Sequence, residues 1–290
     1  MIEVIQRSVD YLAKRGVENP RLQVELLLAH LLAVPRMRLY LDFDRALTPD
    51  QLDGLRELVK RRGNREPLQH IAGSTSFCGL DLKVTRDVLV PRPETELLAE
   101  FAWEYLNSLP AAPNPPSALD FGTGSGCLAV AVAVKCPAAQ VVAIDVSKEA
   151  LAIARENATR HKVESRIRIR EGDGFGALPG GMKFDLLVSN PPYIPSGELA
   201  SLEPEVRDHD PRLALDGGAD GLNFYRLLAR EAGDWLKTSG RLMVEFGDGQ
   251  AAELQRVFGG QNWIVEGVRE DYNRKPRILV AVRTPAPGRT

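Results

Sequence analysis

A short apolar run that meets two prolines head-on sets the terms for this chain. Phe184-Asp185-Leu186-Leu187-Val188-Ser189 has the length and branched side chains of a strand buried on both faces. Asn190-Pro191-Pro192-Tyr193-Ile194 follows directly. Proline holds φ at roughly −65° and donates nothing to a ladder, so the strand must end there. Asn190 is thereby expected at the carboxyl end of a parallel strand, the edge where open α/β sheets bind their ligands. Its side chain offers a carbonyl acceptor and an NH2 donor. A backbone carbonyl beside the prolines would be a second acceptor, and two acceptors at fixed spacing suit a planar –NH2 group. Tyr193 can lay its ring on the π-system that carries such a nitrogen. A plain proline-rich turn is the competing reading of the same residues.

After the proline-dense stretch 110–116, read as a stiff exposed loop, strand and helix patterns alternate as in an α/β domain. Strands are expected at 118–121, 140–145, 167–170, 184–189, 241–246, 263–268 and 277–282, the last pair antiparallel. Helices are expected at about 126–136, 148–161, 221–236 and 249–258.

The first part of the chain is different. Ile2, Ile5, Val9 and Leu12 recur at helical spacing up to Gly16, and Pro20 opens a second helix carrying Val24, Leu27, Leu28 and Leu31. Thr48-Pro49-Asp50-Gln51 is a helix start with a capping box, followed by Leu52, Leu55, Leu58 and Val59. These stripes read as core, and His30 beside one of them as a packed or surface histidine. Phe77 to Val84, with Gly79 at its centre, and then Val88-Leu89-Val90 suggest a hairpin-like connector. Pro93 and the acids Glu94 and Glu96 suit the first turn of a further helix. The expected division is a helical domain at 1–66, a hairpin connector at 67–91 and an α/β domain at 92–290.

A length of 290 residues suits two such domains. A net charge of −2 supplies no broad cationic field, so neither direct nucleic-acid binding nor membrane association is expected. The cysteines Cys78, Cys127 and Cys136 show neither metal-ligand spacing nor an even framework. No metal is expected, and a reducing, cytoplasmic setting fits best. The N-terminus lacks the charged-then-apolar order of a signal peptide.

Three further segments fall at successive strand ends. Asp120-Phe121-Gly122-Thr123-Gly124-Ser125-Gly126 joins the first strand to its helix with glycines at alternate positions. That is one residue short of the dinucleotide pattern and suits a compact nucleoside. Asp145 ends the next strand and can accept from both hydroxyls of a ribose, or cap the following helix together with Ser147. Asp173-Gly174-Phe175 can meet an adenine, the acid on its amino group and the ring beside it, or form a simple turn.

Glycine loop, ribose acid, Asp-Gly-Phe and Asn-Pro-Pro-Tyr in this order resemble the seven-stranded S-adenosylmethionine-dependent methyltransferases, a Rossmann-like α/β fold. The helical N-terminal region, Pro91-Arg92-Pro93-Glu94-Thr95-Glu96 and Val188-Ser189-Asn190-Pro191-Pro192-Tyr193-Ile194 extend the resemblance to the HemK/PrmC family. So do Asp210-Pro211-Arg212-Leu213-Ala214-Leu215 and Gly217-Gly218-Ala219-Asp220-Gly221-Leu222. That family methylates the N5 side-chain amide nitrogen of a glutamine, in a Gly-Gly-Gln motif, of peptide chain release factors.

The resemblance implies S-adenosylmethionine as cofactor, leaving as S-adenosylhomocysteine. It would be held by Asp120, Phe121, Gly122, Thr123, Gly124, Ser125, Gly126, Asp145, Val146, Asp173, Gly174, Phe175 and Asn190. Asn190, Pro191, Pro192 and Tyr193 would hold the glutamine and form the catalytic set. The sequence departs from the family where Gly174 replaces a frequent aromatic, which leaves either Phe175 to pack the adenine or that face of the site more open. Three rivals are a methyltransferase for the exocyclic amine of DNA or RNA, a non-catalytic scaffold, and a dehydrogenase. The first would need a base-extraction surface that the near-neutral chain does not show, and the last has the wrong glycine spacing.

Overall fold

A computed structural model describes residues 1–42, 44–110 and 113–284. Ala111 and Ala112 of the expected proline loop, and residues 285–290 of the expected α/β domain, lie outside the described residues. The chain divides into a helical unit, residues 1–74 with 203–209, and an α/β unit, residues 75–202 with 210–290.

The helical unit holds α1 (Ile2–Lys14), α2 (Pro20–Leu31), α3 (Arg38–Leu41), α4 (Pro49–Gly63) and α5 (Leu68–Ala72), with α9 (Pro204–Arg207) returning much later in sequence. Thr48 caps α4 as its sequence predicts, and the reciprocal bonds with Gln51 complete the box. Leu12, Val24, Leu27, Leu28, Leu55 and Val59 form the core. Ile2 does not join them. At ~100° per residue it lies about 80° round the helix from Leu12, and it is exposed while Val4 packs instead. Segment 68–72, expected as part of a connector, is a helix packed on α2 and α4. Glu205 binds the buried Arg62 at 2.8 Å and Arg65 at 2.5 Å, so the later segment is held by charge.

In the α/β unit, β1 (Ser74–Phe77) and β2 (Leu80–Lys83) form a two-stranded sheet. Cys78 and Gly79 between them both have positive φ, the twist a two-residue hairpin requires. Val88-Leu89-Val90 forms no strand; Val88 and Val90 are buried as irregular chain. Then α6 (Pro93–Ser108) starts with proline at its first position.

The main sheet comprises β3 (Ser117–Phe121), β4 (Gln140–Asp145), β5 (Ile167–Glu171), β6 (Phe184–Ser189), β7 (Leu236–Glu245), β8 (Trp263–Glu270) and β9 (Pro276–Arg283). Its order is β5-β4-β3-β6-β7-β9-β8, with β9 antiparallel to both neighbours and the other pairings parallel. The helices are α7 (Cys127–Lys135), α8 (Lys148–Arg160), α10 (Asn223–Glu231) and α11 (Ala251–Gly259). The expected helix at 221–236 is shorter than its periodicity suggests. It tightens into a 3-10 turn at Ala232–Trp235, and β7 begins at Leu236, five residues before the expected start at 241.

Successive residues of β6 feed opposite layers. Leu186 and Val188 enter the core beneath α6 and α7, whereas Phe184 and Leu187 enter the one beneath α10 and α11. Each of these fully buried side chains stabilises the fold by roughly 1.5–3 kcal/mol. This two-sided burial explains the unbroken apolar run. Strand order reverses between β3 and β6, which opens a crevice beyond their carboxyl ends. Among the described residues no helix is long and apolar enough to cross a membrane.

Candidate active site

The crevice contains a cavity of about 180 Å³, about twelve times the ~15 Å³ that one water requires. Its walls come from the loops after β3, β4, β5 and β6, from Asp87, Val88, Leu89 and Pro91 ahead of α6 and Thr95 within it, and from α7 and α8, with Pro211, Leu213 and Ala214 from a later loop and Phe224 and Leu227 from α10. All belong to the α/β unit.

The glycine loop is shaped by backbone needs. Gly122, Gly124 and Gly126 all have positive φ, where a Cβ costs energy. Gly122 and Gly124 line the cavity, and a Cβ on either would meet no atom within 4 Å. They form a cradle that side chains would fill. Gly126 does not line the cavity; a Cβ there would lie 3.0 Å from Ala154 Cβ, so this glycine lets α7 and α8 approach. Gly124 N–H donates to Asp145 Oδ2 at 2.8 Å, and Ser147 N–H donates to Oδ1 at 2.9 Å. Both bonds fix the carboxylate on the cavity wall. Ser147 also caps α8, so capping and cavity roles share this corner. From α8, the fully buried Asn157 braces the hairpin to the loop, donating to Lys83 O and Ser125 O and accepting from Lys83 N–H.

Of the remaining residues expected to hold the cofactor, Phe121, Thr123, Ser125, Val146, Asp173, Gly174 and Asn190 line the cavity. Asp120 and Phe175 do not. Asp120 is buried below the loop, where its Oδ2 accepts from Thr123 Oγ1 at 2.6 Å and Ala129 N–H at 3.1 Å. Burial pushes its carboxyl up to about 7. Phe175 turns into the core, 4.9 Å from the Phe121 ring and stacked 5.8 Å from Trp235. Its apolar ring gains more there than at a solvent-lined wall. Of the two expected rings, Phe121 is the one that borders the cavity.

Of the expected glutamine set, Asn190 and Pro192 line the cavity, whereas Pro191 and Tyr193 do not. Tyr193 packs on the α10–α11 core, and Gln250 Nε2 donates to its carbonyl at 2.9 Å. Burial raises its phenol to about 12, so it is protonated at neutral pH and no base. Asn190 Nδ2 donates to Thr95 Oγ1 at 3.0 Å. With the nitrogen end committed, Oδ1 is the end left to accept from a ligand.

Thr95, Phe224 and Leu227 were missed as wall residues by sequence reasoning. Thr95 sat inside a motif that otherwise read as helix-start chemistry. Phe224 and Leu227 carry an ordinary core periodicity, which cannot tell a packed face from a cavity wall.

Residues 3–73 match the PrmC N-terminal domain family, and residues 105–202 match the methyltransferase small domain family. The release factor glutamine methyltransferase of Geobacter sulfurreducens is 49% identical over 277 residues, 96% of this chain and 94% of that protein. Its counterpart from Chlorobaculum tepidum is 43% identical, over 96% of each. A methyltransferase structure from Pyrococcus furiosus aligns with a TM-score of 0.53 at 20% identity. That likeness covers 78% of this chain and 98% of that one and speaks to the fold alone. Near-complete coverage at such identity leaves one assignment: the chain belongs to the release factor glutamine methyltransferase family.

Proposed function

We propose that this chain transfers a methyl group from S-adenosylmethionine to the N5 side-chain amide nitrogen of a glutamine in peptide chain release factors. The observation that carries this reading is the Asn190 carboxamide on the cavity wall, its nitrogen held by Thr95 and its oxygen left for a donor. The residues present fit the cofactor. Gly122 and Gly124 leave room for a nucleoside where Cβ atoms would intrude, and Asp145, fixed by two N–H groups, would take the paired ribose hydroxyls. Val146, Phe121, Asp173 and Gly174 would border the base. When bound, the cofactor supplies an electrophilic methyl group on a positively charged sulfur.

The chain's own work is to present the nitrogen. An amide nitrogen is a weak nucleophile because its lone pair is delocalised. Asn190 Oδ1 and a backbone carbonyl near Pro191 would each accept one of its N–H groups and aim it. Such orientation is worth several kcal/mol of barrier, on the order of 7–11 at best. The same acceptors stabilise the positive charge that grows on nitrogen. The helical unit, residues 1–74 with 203–209, would hold the body of the release factor.

The test is mass spectrometry of a release factor after incubation with isotope-labelled cofactor. One labelled methyl on a glutamine side-chain nitrogen is expected, and Asn190→Ala should retain cofactor binding while losing at least about a hundredfold in turnover. Label found on DNA or RNA and not on the release factor would assign the cavity to an exocyclic amine instead.

A further inference from the structure

β6 and β7 are paired with Ser189 opposite Val244. The next residues, Asn190 and Glu245, therefore reach the cavity end of the sheet side by side. Thr95, in the first turn of α6, joins them. Its hydroxyl accepts from Asn190 Nδ2 at 3.0 Å, and the Glu245 carboxyl lies near enough to be lowered by that hydroxyl. A hydroxyl has one proton to give. Because Asn190 donates to this hydroxyl, the Thr95 proton is left for the neighbouring Glu245, which when ionised can only accept. An ionised Glu245 thus favours the direction in which Asn190 donates and Thr95 accepts.

That direction matters because the two ends of a carboxamide have nearly the same shape and differ in what they bond. If Asn190 turned over, its NH2 would face the substrate NH2 and neither could accept. We infer that Glu245 and Thr95 are positioning residues, whose hydrogen bonds hold the Asn190 carboxamide with its oxygen toward the substrate amide. This deepens the proposed function and rests on its reading of Asn190.

The cost of keeping Glu245 supports a role beyond packing. The residue is 2% exposed, and its Oε2 has no hydrogen-bond partner among the described residues. A buried carboxyl so poorly satisfied weakens a core. Burial raises it to about 7, with Glu94 pushing the same way and Arg277 and Arg92 opposing. Both arginines are paired, with Asp271 and Asp210 respectively. The phenols of Tyr193 and Tyr225 also face it and are themselves raised by burial. A proton added to Glu245 makes it a donor to Thr95. Thr95 can then turn its own proton toward Asn190, and the carboxamide is free to reverse. The productive arrangement is therefore the ionised one, populated above the folded-state value, so turnover should fall as pH drops through about 7.

The experiment uses the full chain with a release factor and labelled S-adenosylmethionine. It measures kcat and KM over roughly pH 6 to 9, S-adenosylhomocysteine affinity and thermal melting. Thr95→Val should lose at least about tenfold in kcat with cofactor affinity within about twofold, and Thr95→Ser should restore most of the loss. Glu245→Gln should abolish the acidic limb of the kcat profile. Wild-type kcat in Thr95→Val, or an unchanged acidic limb in Glu245→Gln, would overturn the inference. Asn190→Ala separates the two levels. Full turnover there removes the reading of Asn190 itself, whereas an inactive Asn190→Ala beside a fully active Thr95→Val removes only the positioning.

Discussion

Replacing Gly124 by alanine separates the two reasons for a glycine in the loop after β3. The residue has φ +53, so any Cβ brings the left-handed penalty of about 1–2 kcal/mol. For an α/β unit of this size that corresponds to a melting temperature lower by roughly 3–6 °C. The new methyl would meet no protein atom within 4 Å, so no clash adds to the penalty. It would instead occupy the cavity that Gly124 lines. Gly79→Ala is the matched control: φ is +76, a Cβ again meets nothing within 4 Å, and the hairpin turn does not line the cavity. Calorimetric titration with S-adenosylhomocysteine should show affinity down at least tenfold, about 1.4 kcal/mol, for Gly124→Ala. Gly79→Ala should bind as wild type while losing similar stability. Binding by Gly124→Ala within twofold of wild type, at the expected loss of melting temperature, would mean that the glycine serves the turn alone. Equal loss of binding in Gly79→Ala would mean that general destabilisation, and not the cradle, controls affinity.

Asp120, raised to about 7 by burial, binds a proton in the folded state that the unfolded chain has already released. Its contribution is present below about pH 4 and lost as pH rises through 7. Urea midpoints should therefore fall between pH 5 and 7.5, and Asp120→Asn should flatten that decline; an unchanged slope would refute it. Thr48→Ala removes the side-chain acceptor of the α4 capping box, to which Gln51 N–H donates, and should cost about 1 kcal/mol in denaturant unfolding. Glu205→Gln leaves the buried Arg62 without its anion while its bonds to Gln23 and Glu66 remain. A loss of about 2 kcal/mol is expected in the same assay, and a change under about 0.5 would show the pair to be neutral.

The strands that carry the site were legible because burial on both faces writes itself as unbroken apolar sequence. The 140–145 and 184–189 strands emerge at those limits. Helix α10 was overextended because Ala232 and Trp235 keep a helical rhythm through a turn that only hydrogen bonding ends. Asp120 and Phe175 lay within the right segments, but local spacing does not say which side of a loop faces a cavity. Glu245 was invisible for another reason: its neighbours Thr95 and Asn190 lie on α6 and just past β6, and such proximity is set by register. An acid inside Leu242-Met243-Val244-Glu245-Phe246 was nevertheless a signal. A charge in a buried strand is costly enough to ask what it serves.

The return of residues 203–209 to the helical unit bears on how the protein can be made and cut. Arg62 and Arg65 leave the ribosome long before Glu205 is synthesised. Until then the first five helices carry a guanidinium that is to be buried with no anion beside it. A fragment ending at residue 74 stays in that condition permanently, and one beginning at residue 75 carries α9 with nowhere to seat it. No single cut yields two finished pieces, so point substitutions on intact protein are the sounder way to ask what the N-terminal helices contribute.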